Sequence, residues 1–168
     1  ALKNGEILNG NGWSLECIHT PGHTSNHLCF AYPDGNALFS GDHVMGWSTT
    51  IVSPPDGDMR EYLNSLQYLS ERNEQVFYPT HGAPIEEPKR FIRGLIGHRK
   101  MRERQIISVL ENGKNRIPDM IPEMYKGLDP RLIPAAQRSV YAHVIDLIER
   151  GRIAAQGELT IESMLYLN

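Results

Sequence analysis

What this sequence has little of narrows its roles first. Only two cysteines occur, Cys17 and Cys29, too few for the disulfide framework of a small secreted scaffold, and neither sits in a CxxC pair that would mark a zinc knuckle or redox site. They read as core thiols in a reducing cytoplasm. No run approaches the ~18 consecutive apolar residues of a membrane span. The opening Ala1-Leu2-Lys3-Asn4-Gly5 has no apolar stretch of the signal-peptide kind. Repeats and low-complexity stretches are absent, and with 40% hydrophobic and 22% charged side chains over 168 residues the composition is that of a globular chain able to bury a core, not of a disordered tail.

Basic side chains are scarce in one half only. Residues 1–88 hold three against eleven acidic ones, a net of −8, whereas residues 89–168 hold fourteen against nine, a net of +5. Seven cations lie between Lys89 and Arg104 with Glu103 as the single acid. Such a stretch serves either as a solvated helix face or as the contact for an anionic partner.

The first half reads as short strands. Trp13, Leu15 and Cys17 alternate with Ser14 and Glu16, the period of a half-buried strand running to Thr20. His27–Tyr32 and Ala37–Ser40 form a hairpin about Pro33-Asp34-Gly35-Asn36, with positive φ at Gly35 or Asn36. After Pro54-Pro55-Asp56-Gly57, Asp58 caps a helix to about Glu71, its apolar positions Met59, Tyr62, Leu63, Leu66 and Leu69 at helical spacing. Val76–Tyr78 is a further strand, ending at Pro79.

Helices dominate the second half. Phe91, Leu95, Met101, Ile106 and Leu110 mark a long amphipathic one that stops at Asn112-Gly113. Ile117–Tyr125, with Pro118 in its first turn, and Pro134–Arg150, ended by Gly151, follow. Arg152–Ala155 and Leu159–Leu165 flank a turn and can pair as a ribbon, and three helices before a ribbon is the order of a winged helix.

Three loops carry the chemistry: Thr20-Pro21-Gly22-His23-Thr24, Ser40-Gly41-Asp42-His43 and Pro79-Thr80-His81-Gly82. Each follows a predicted strand. Neighbouring strands deliver their ends together, and Gly and Pro permit close turns, so the imidazoles and the carboxylate can converge on a metal ion. Neutral imidazole nitrogen with carboxylate oxygen suits zinc, with manganese or iron where oxygen donors are more numerous. His19 alternates away from its loop, His43 points opposite to Asp42, and His27, His98 and His143 fall on a strand and two helices. All five read as structural or supporting.

The order and spacing of these loops, with Asp42 nineteen residues after His23 and His81 thirty-nine after Asp42, resemble the last three metal-binding motifs of the metallo-beta-lactamase-fold hydrolases. Trp47-Ser48-Thr49-Thr50, the helix Tyr62-Leu63-Asn64-Ser65-Leu66, and His98-Arg99 with Arg102-Glu103 and Gln105-Ile106 resemble the beta-lactamase-like protein 2 group, a glyoxalase II-like branch with a winged helix after its hydrolase domain. The resemblance covers about Glu6 to Ile153. It implies an α/β fold: the C-terminal half of an αββα metallo-beta-lactamase sandwich over residues 1–88, then an α-helical winged-helix-like domain over residues 89–168.

That family's earlier His-x-His-x-Asp-His motif does not occur here. The resemblance therefore implies a fragment lacking its N-terminal half, weak in metal binding and inactive alone, that joins the missing half or self-associates. It also implies two zinc ions per complete site, or manganese or iron, with His23 on the first metal, His81 on the second and Asp42 bridging both as the catalytic carboxylate. The implied reaction is attack of a metal-activated hydroxide on a carbonyl or phosphodiester, in a small ester or thioester, a lactone or a single-stranded RNA. Thr49 and Thr50 fall where such enzymes line the substrate cleft, beside Trp47, which could equally pack in a core. Arg99 and Arg102 are the candidate phosphate or substrate contacts on the basic helix, the other reading being that they anchor that helix to the hydrolase domain. The competing expectation is a winged-helix module that binds nucleic acid without catalysis, although Pro134–Arg150, with only Arg138 and Arg150 as cations, makes a poor groove reader.

Overall fold

The computed structural model describes residues 1–168. Its first half is a five-stranded sheet in the order β1 (Ile7–Gly10), β2 (Trp13–His19), β3 (Leu28–Tyr32), β4 (Ala37–Gly41), β5 (Val76–Pro79). The first four strands run antiparallel as a meander, and β5 pairs parallel to β4 after a crossover through α1 (Met59–Glu71). The expected hairpin forms around a 3₁₀ turn at Pro33–Gly35, and the left-handed residue is Asn36, at φ +48°. Asp58 caps α1 as its position predicts, its carboxylate accepting from the Glu61 N–H at 2.9 Å.

β1 is absent from the sequence reading. Ile-Leu-Asn-Gly shows no alternation, and the strand takes its pairing from β2, with Leu8 opposite Leu15. The ribbon needs correction too: β6 (Ile153–Ala155) pairs with β7 (Leu165–Leu167), so Leu159–Met164 is loop rather than strand. Ser163 Oγ accepts from the Thr160 N–H at 2.8 Å and donates to the Glu158 carbonyl at 3.1 Å, a local turn that supplants strand pairing there.

One sheet face is covered. Ile18, Cys29, Ala31, Leu38 and Phe77 pack with Tyr62, Leu66 and Leu69 of α1 and with Ile92 and Leu95 of α2 (Pro88–Glu111). Each fully buried Ile, Leu or Phe among them contributes about 1.5–3 kcal/mol. The opposite face is bare: Phe30, Phe39 and Tyr78 stand opposite one another across three strands, and Trp13 and Phe39 are each 44% exposed. A second core is built by Ile106 and Leu110 of α2, by α3 (Ile117–Met124), by α4 (Ile133–Glu149) and by Ile153 and Leu165 of the ribbon. α2 thus contributes to both cores.

Between the cores lies His143 of α4, 3% exposed, with no partner on Nε2. Burial first, then the Arg99, His98 and Arg102 side chains, depresses its pKa to about 3. The unfolded imidazole protonates near 6.5, so below that pH the unfolded state holds the extra proton and stability falls as pH drops toward the folded value. Urea midpoints at pH 7 and pH 5 measure this. Replacing His143 with Leu is expected to reduce the loss between those pH values by up to about 2 kcal/mol, and an unchanged loss would count against a neutral buried imidazole.

Candidate metal centre

The parallel pair β4 and β5 ends side by side, with Gly41 opposite Pro79, so the loops that follow carry Asp42 and His81 to the same edge. The loop after β2 brings His23. Asp42 lies between the two imidazoles: Oδ2 is 3.9 Å from His23 Nε2, and Oδ1 is 3.6 Å from His81 Nε2. Each carboxylate oxygen faces a different ring, while Oδ1 is shielded from solvent and has no hydrogen-bond partner. An orphaned carboxylate oxygen facing an imidazole nitrogen fits a cation with borderline ligand preference. No three His, Cys, Asp or Glu side chains close on a single point, so the arrangement is two donor pairs sharing one carboxylate rather than one complete cage.

Local chemistry fixes each ligand. His23 Nδ1 donates to the Ile51 carbonyl at 2.6 Å, which leaves Nε2 as the lone-pair nitrogen facing Asp42. Gly22, at φ +130°, lies against α1 so closely that a Cβ would come within 2.2 Å of the Tyr62 Cα. Its carbonyl accepts from the Asp58 N–H at 2.9 Å. Gly46 N–H donates to the His81 carbonyl at 2.9 Å and joins the second and third loops.

His27 lies just ahead of β3 rather than on it. Its Nδ1 is 2.8 Å from Thr20 Oγ1, and its ring backs Gly41, where a Cβ would come within 2.6 Å of Nε2. Burial and the neighbouring His23 lower its pKa to about 4. His43, fully buried, stacks at 4.7 Å on Tyr62 and at 5.5 Å on His27, and burial pushes it to about 3. These neutral rings wall the site from behind. His27, expected to be structural, backs the site together with Thr20 and Tyr62, whose part in it the sequence does not mark; the regular helical phase of Tyr62 is that of any core residue.

The other candidates separate. Trp47 is 74% exposed and stands outside the core, Ile51 is 64% exposed, and Thr49 is half-buried. Thr50 is buried, and its hydroxyl donates to the Asp42 carbonyl at 2.6 Å with the His43 carbonyl 3.0 Å away. Arg99 is 3% exposed and donates through Nη2 to the Thr50 carbonyl, over the Tyr62 ring. Arg102 lies 4.1 Å over the Tyr125 ring and donates to the Met124 carbonyl at 3.0 Å. The structure therefore places both arginines in contacts within the protein, and the exposed cations of α2 are Lys89, Arg90, Arg93, Lys100 and Arg104. Arg90, Gly94 and Leu95 line a groove of about 660 Å³ that reaches Gly46.

A half-sandwich with a His, Asp and His on adjoining strand-end loops, followed by helices closed by a ribbon, defines an α/β protein with an appended winged helix and a candidate metal centre at one sheet edge. Residues 2–81 match the family described as the metallo-beta-lactamase superfamily, and residues 117–161 the beta-lactamase associated winged helix domain. The chain belongs to the metallo-beta-lactamase superfamily. It is 32% identical to the beta-lactamase-like protein 2 homolog of Drosophila melanogaster over 98% of this chain and 56% of that protein. It is 34% identical to the atrochrysone carboxyl ACP thioesterase of Aspergillus fumigatus over 67% of this chain and 34% of that one. A metallo-beta-lactamase family protein of Thermus thermophilus superposes with a TM-score of 0.85 at 22% identity, over 99% of this chain and 54% of the other. The chain thus spans between about a third and somewhat over half the length of these relatives.

Gly22 gives a test of how the first ligand is held. Gly12 also has positive φ, +79°, but open space around it, so Gly12→Ala should cost about 1 kcal/mol of stability from backbone strain alone. Gly22→Ala should cost clearly more in thermal unfolding, because the α1 backbone must move. Equal losses would mean that the His23 loop does not depend on its contact with Tyr62.

Proposed function

We propose that the chain supplies the Asp42-centred part of a metal-dependent hydrolase that cleaves an ester or thioester. The observation that carries this reading is the Asp42 carboxylate, one oxygen toward His23 and the other toward His81. In it His23, Asp42 and His81 are the residues that would hold the ions, with zinc as the cofactor and manganese or iron as substitutes. A bound pair supplies a water of lowered pKa and charge stabilisation for the developing oxyanion. The chain's own residues do the rest. Asp42 orients the pair, Ile51 O keeps the proton on His23 Nδ1, and Trp47 and Ile51 give apolar contact to an acyl group at the cleft.

The thioester class is supported by the relative whose name is that of an ACP thioesterase. Exposed Arg93, Lys100 and Arg104 suit an anionic carrier or substrate. The binding-module alternative is weakened at α4: its Arg138 donates to Ser53 Oγ, and Arg150, just past its C-terminal end, pairs with Glu103 and Asp146. The bare face of Phe30, Phe39 and Tyr78 is, in this reading, covered by a second sheet that carries the remaining ligands, drawn from the length the relatives have beyond this match. The two free, buried thiols accord with a cytoplasmic setting, and no helix is long and apolar enough to cross a membrane.

In the protein carrying that second sheet, Asp42→Asn is expected to lower metal content and thioester hydrolysis together, by about 100-fold or more. Retention of both would overturn the assignment. Thioester turnover should vary little with ionic strength, whereas RNA cleavage would weaken steeply with salt, so a nuclease arm separates the substrate classes. Residues 1–168 alone should self-associate in light scattering and turn over neither substrate, and a dilute active monomer would refute completion by a second sheet.

A further inference from the structure

The segment between β4 and α1 touches every part of the candidate centre, reaching His81 through the Gly46 N–H, and it is held from behind by the helical half. The Thr50 hydroxyl donates to the Asp42 carbonyl at 2.6 Å. The Ile51 carbonyl accepts from His23 Nδ1 at 2.6 Å. Between these two contacts, the Thr50 carbonyl accepts from Arg99 Nη2 of α2, and three residues on, Ser53 Oγ accepts from Arg138 of α4 at 3.2 Å.

Arg99 is an unusual choice for so buried a place. At 3% exposure it has no carboxylate partner, its Nε is unbonded, and the titratable groups around it are His98, Arg102 and His143 of the helices and Tyr62 of α1. The Tyr62 ring lies 5.2 Å from its guanidinium carbon, a cation–π contact with a neutral side chain that leaves the charge without a counter-ion. A buried unpaired cation is costly, and an apolar side chain of similar volume would stabilise such a position at least as well. What an apolar residue lacks is a donor for the Thr50 carbonyl. The peptide that carbonyl belongs to links Thr50, which fixes the Asp42 main chain, to Ile51, which selects the His23 tautomer.

We infer that Arg99 is a positioning residue for the metal centre: by fixing the Thr50–Ile51 peptide from the helical domain, it sets both the seat of Asp42 and the ligating nitrogen of His23. The helical half is then a brace for the centre, whatever else it binds. This rests on the metal reading above, but its first readout needs no metal. In ¹⁵N spectra of the metal-free full chain, His23 should carry its proton on Nδ1. Arg99→Met should convert His23 to a mixture of tautomers and weaken Zn²⁺ binding about 10- to 100-fold, the range seen when ligand-orienting partners are removed. Arg99→Lys, which keeps the charge but not the fork, should fall between, and it carries the test if Arg99→Met does not fold.

Arg60→Met, which removes ion pairs to Asp146 and Glu149 on α4 but touches no part of the loop, is the control for general loosening. It should leave the His23 tautomer and Zn²⁺ affinity unchanged. The inference is overturned if His23 keeps its Nδ1 proton and Zn²⁺ affinity stays within twofold in Arg99→Met, or if Arg60→Met disturbs both equally. Zinc titration of Asp42→Asn distinguishes the two failures: if that variant binds Zn²⁺ like the parent, the metal reading falls, while the tautomer of His23 still reports on Arg99.

Discussion

Because β4 and β5 run parallel, they finish at the same edge of the sheet, and a carboxylate after one meets an imidazole after the other with no further adjustment. An antiparallel pairing would send His81 to the far end. Parallel neighbours require a crossover, and α1 is that crossover: its apolar stripe of Met59, Tyr62, Leu66 and Leu69 is buried on the sheet, which is what holds β5 beside β4. Tyr62 in that stripe also meets the Gly22 backbone, the His43 ring and the Arg99 guanidinium. The donor geometry is thus a by-product of how one helix packs, with glycines at 22 and 41 allowing the loops to lie close.

Much of this was legible from residue order. Alternation gave β2, the turn residues Pro33–Asn36 gave the hairpin of β3 and β4, the Asp58 cap and apolar spacing gave α1, and glycines at 113 and 151 marked where α2 and α4 stop. The three ligand loops were visible because each joins a Gly to a His or Asp directly after a strand. β1 was hidden because its burial is mostly exposed and its register is borrowed from β2. The ribbon was displaced because Ser163 and Thr160 bond locally, which hydropathy does not report.

Arg99 was misplaced for a more instructive reason. Counted among seven cations it looked like part of a basic surface, yet Ile92, Leu95, Arg99, Ile106 and Leu110 fall on one face of α2 and are all buried. Helical phase, applied to charged residues as strictly as to apolar ones, separates it from Arg93, Lys100 and Arg104. The same test applied to Arg102 is less decisive, since its aliphatic stem and ring contact leave it half-buried.

The shared helix α2 has a mechanical consequence. Its 24 residues make a rod of about 36 Å, with Ile92 and Leu95 anchored in one core and Ile106 and Leu110 in the other. Helix formation is cooperative along its length, so neither core can melt while the other keeps its share of the rod intact without fraying a helix in the middle. Gly94 and Gly97, both exposed, are the weakest links in that rod and mark where it would part. Short of that break, the sheet half and the helical half gain and lose their structure in one transition, as a single folding unit with two hearts.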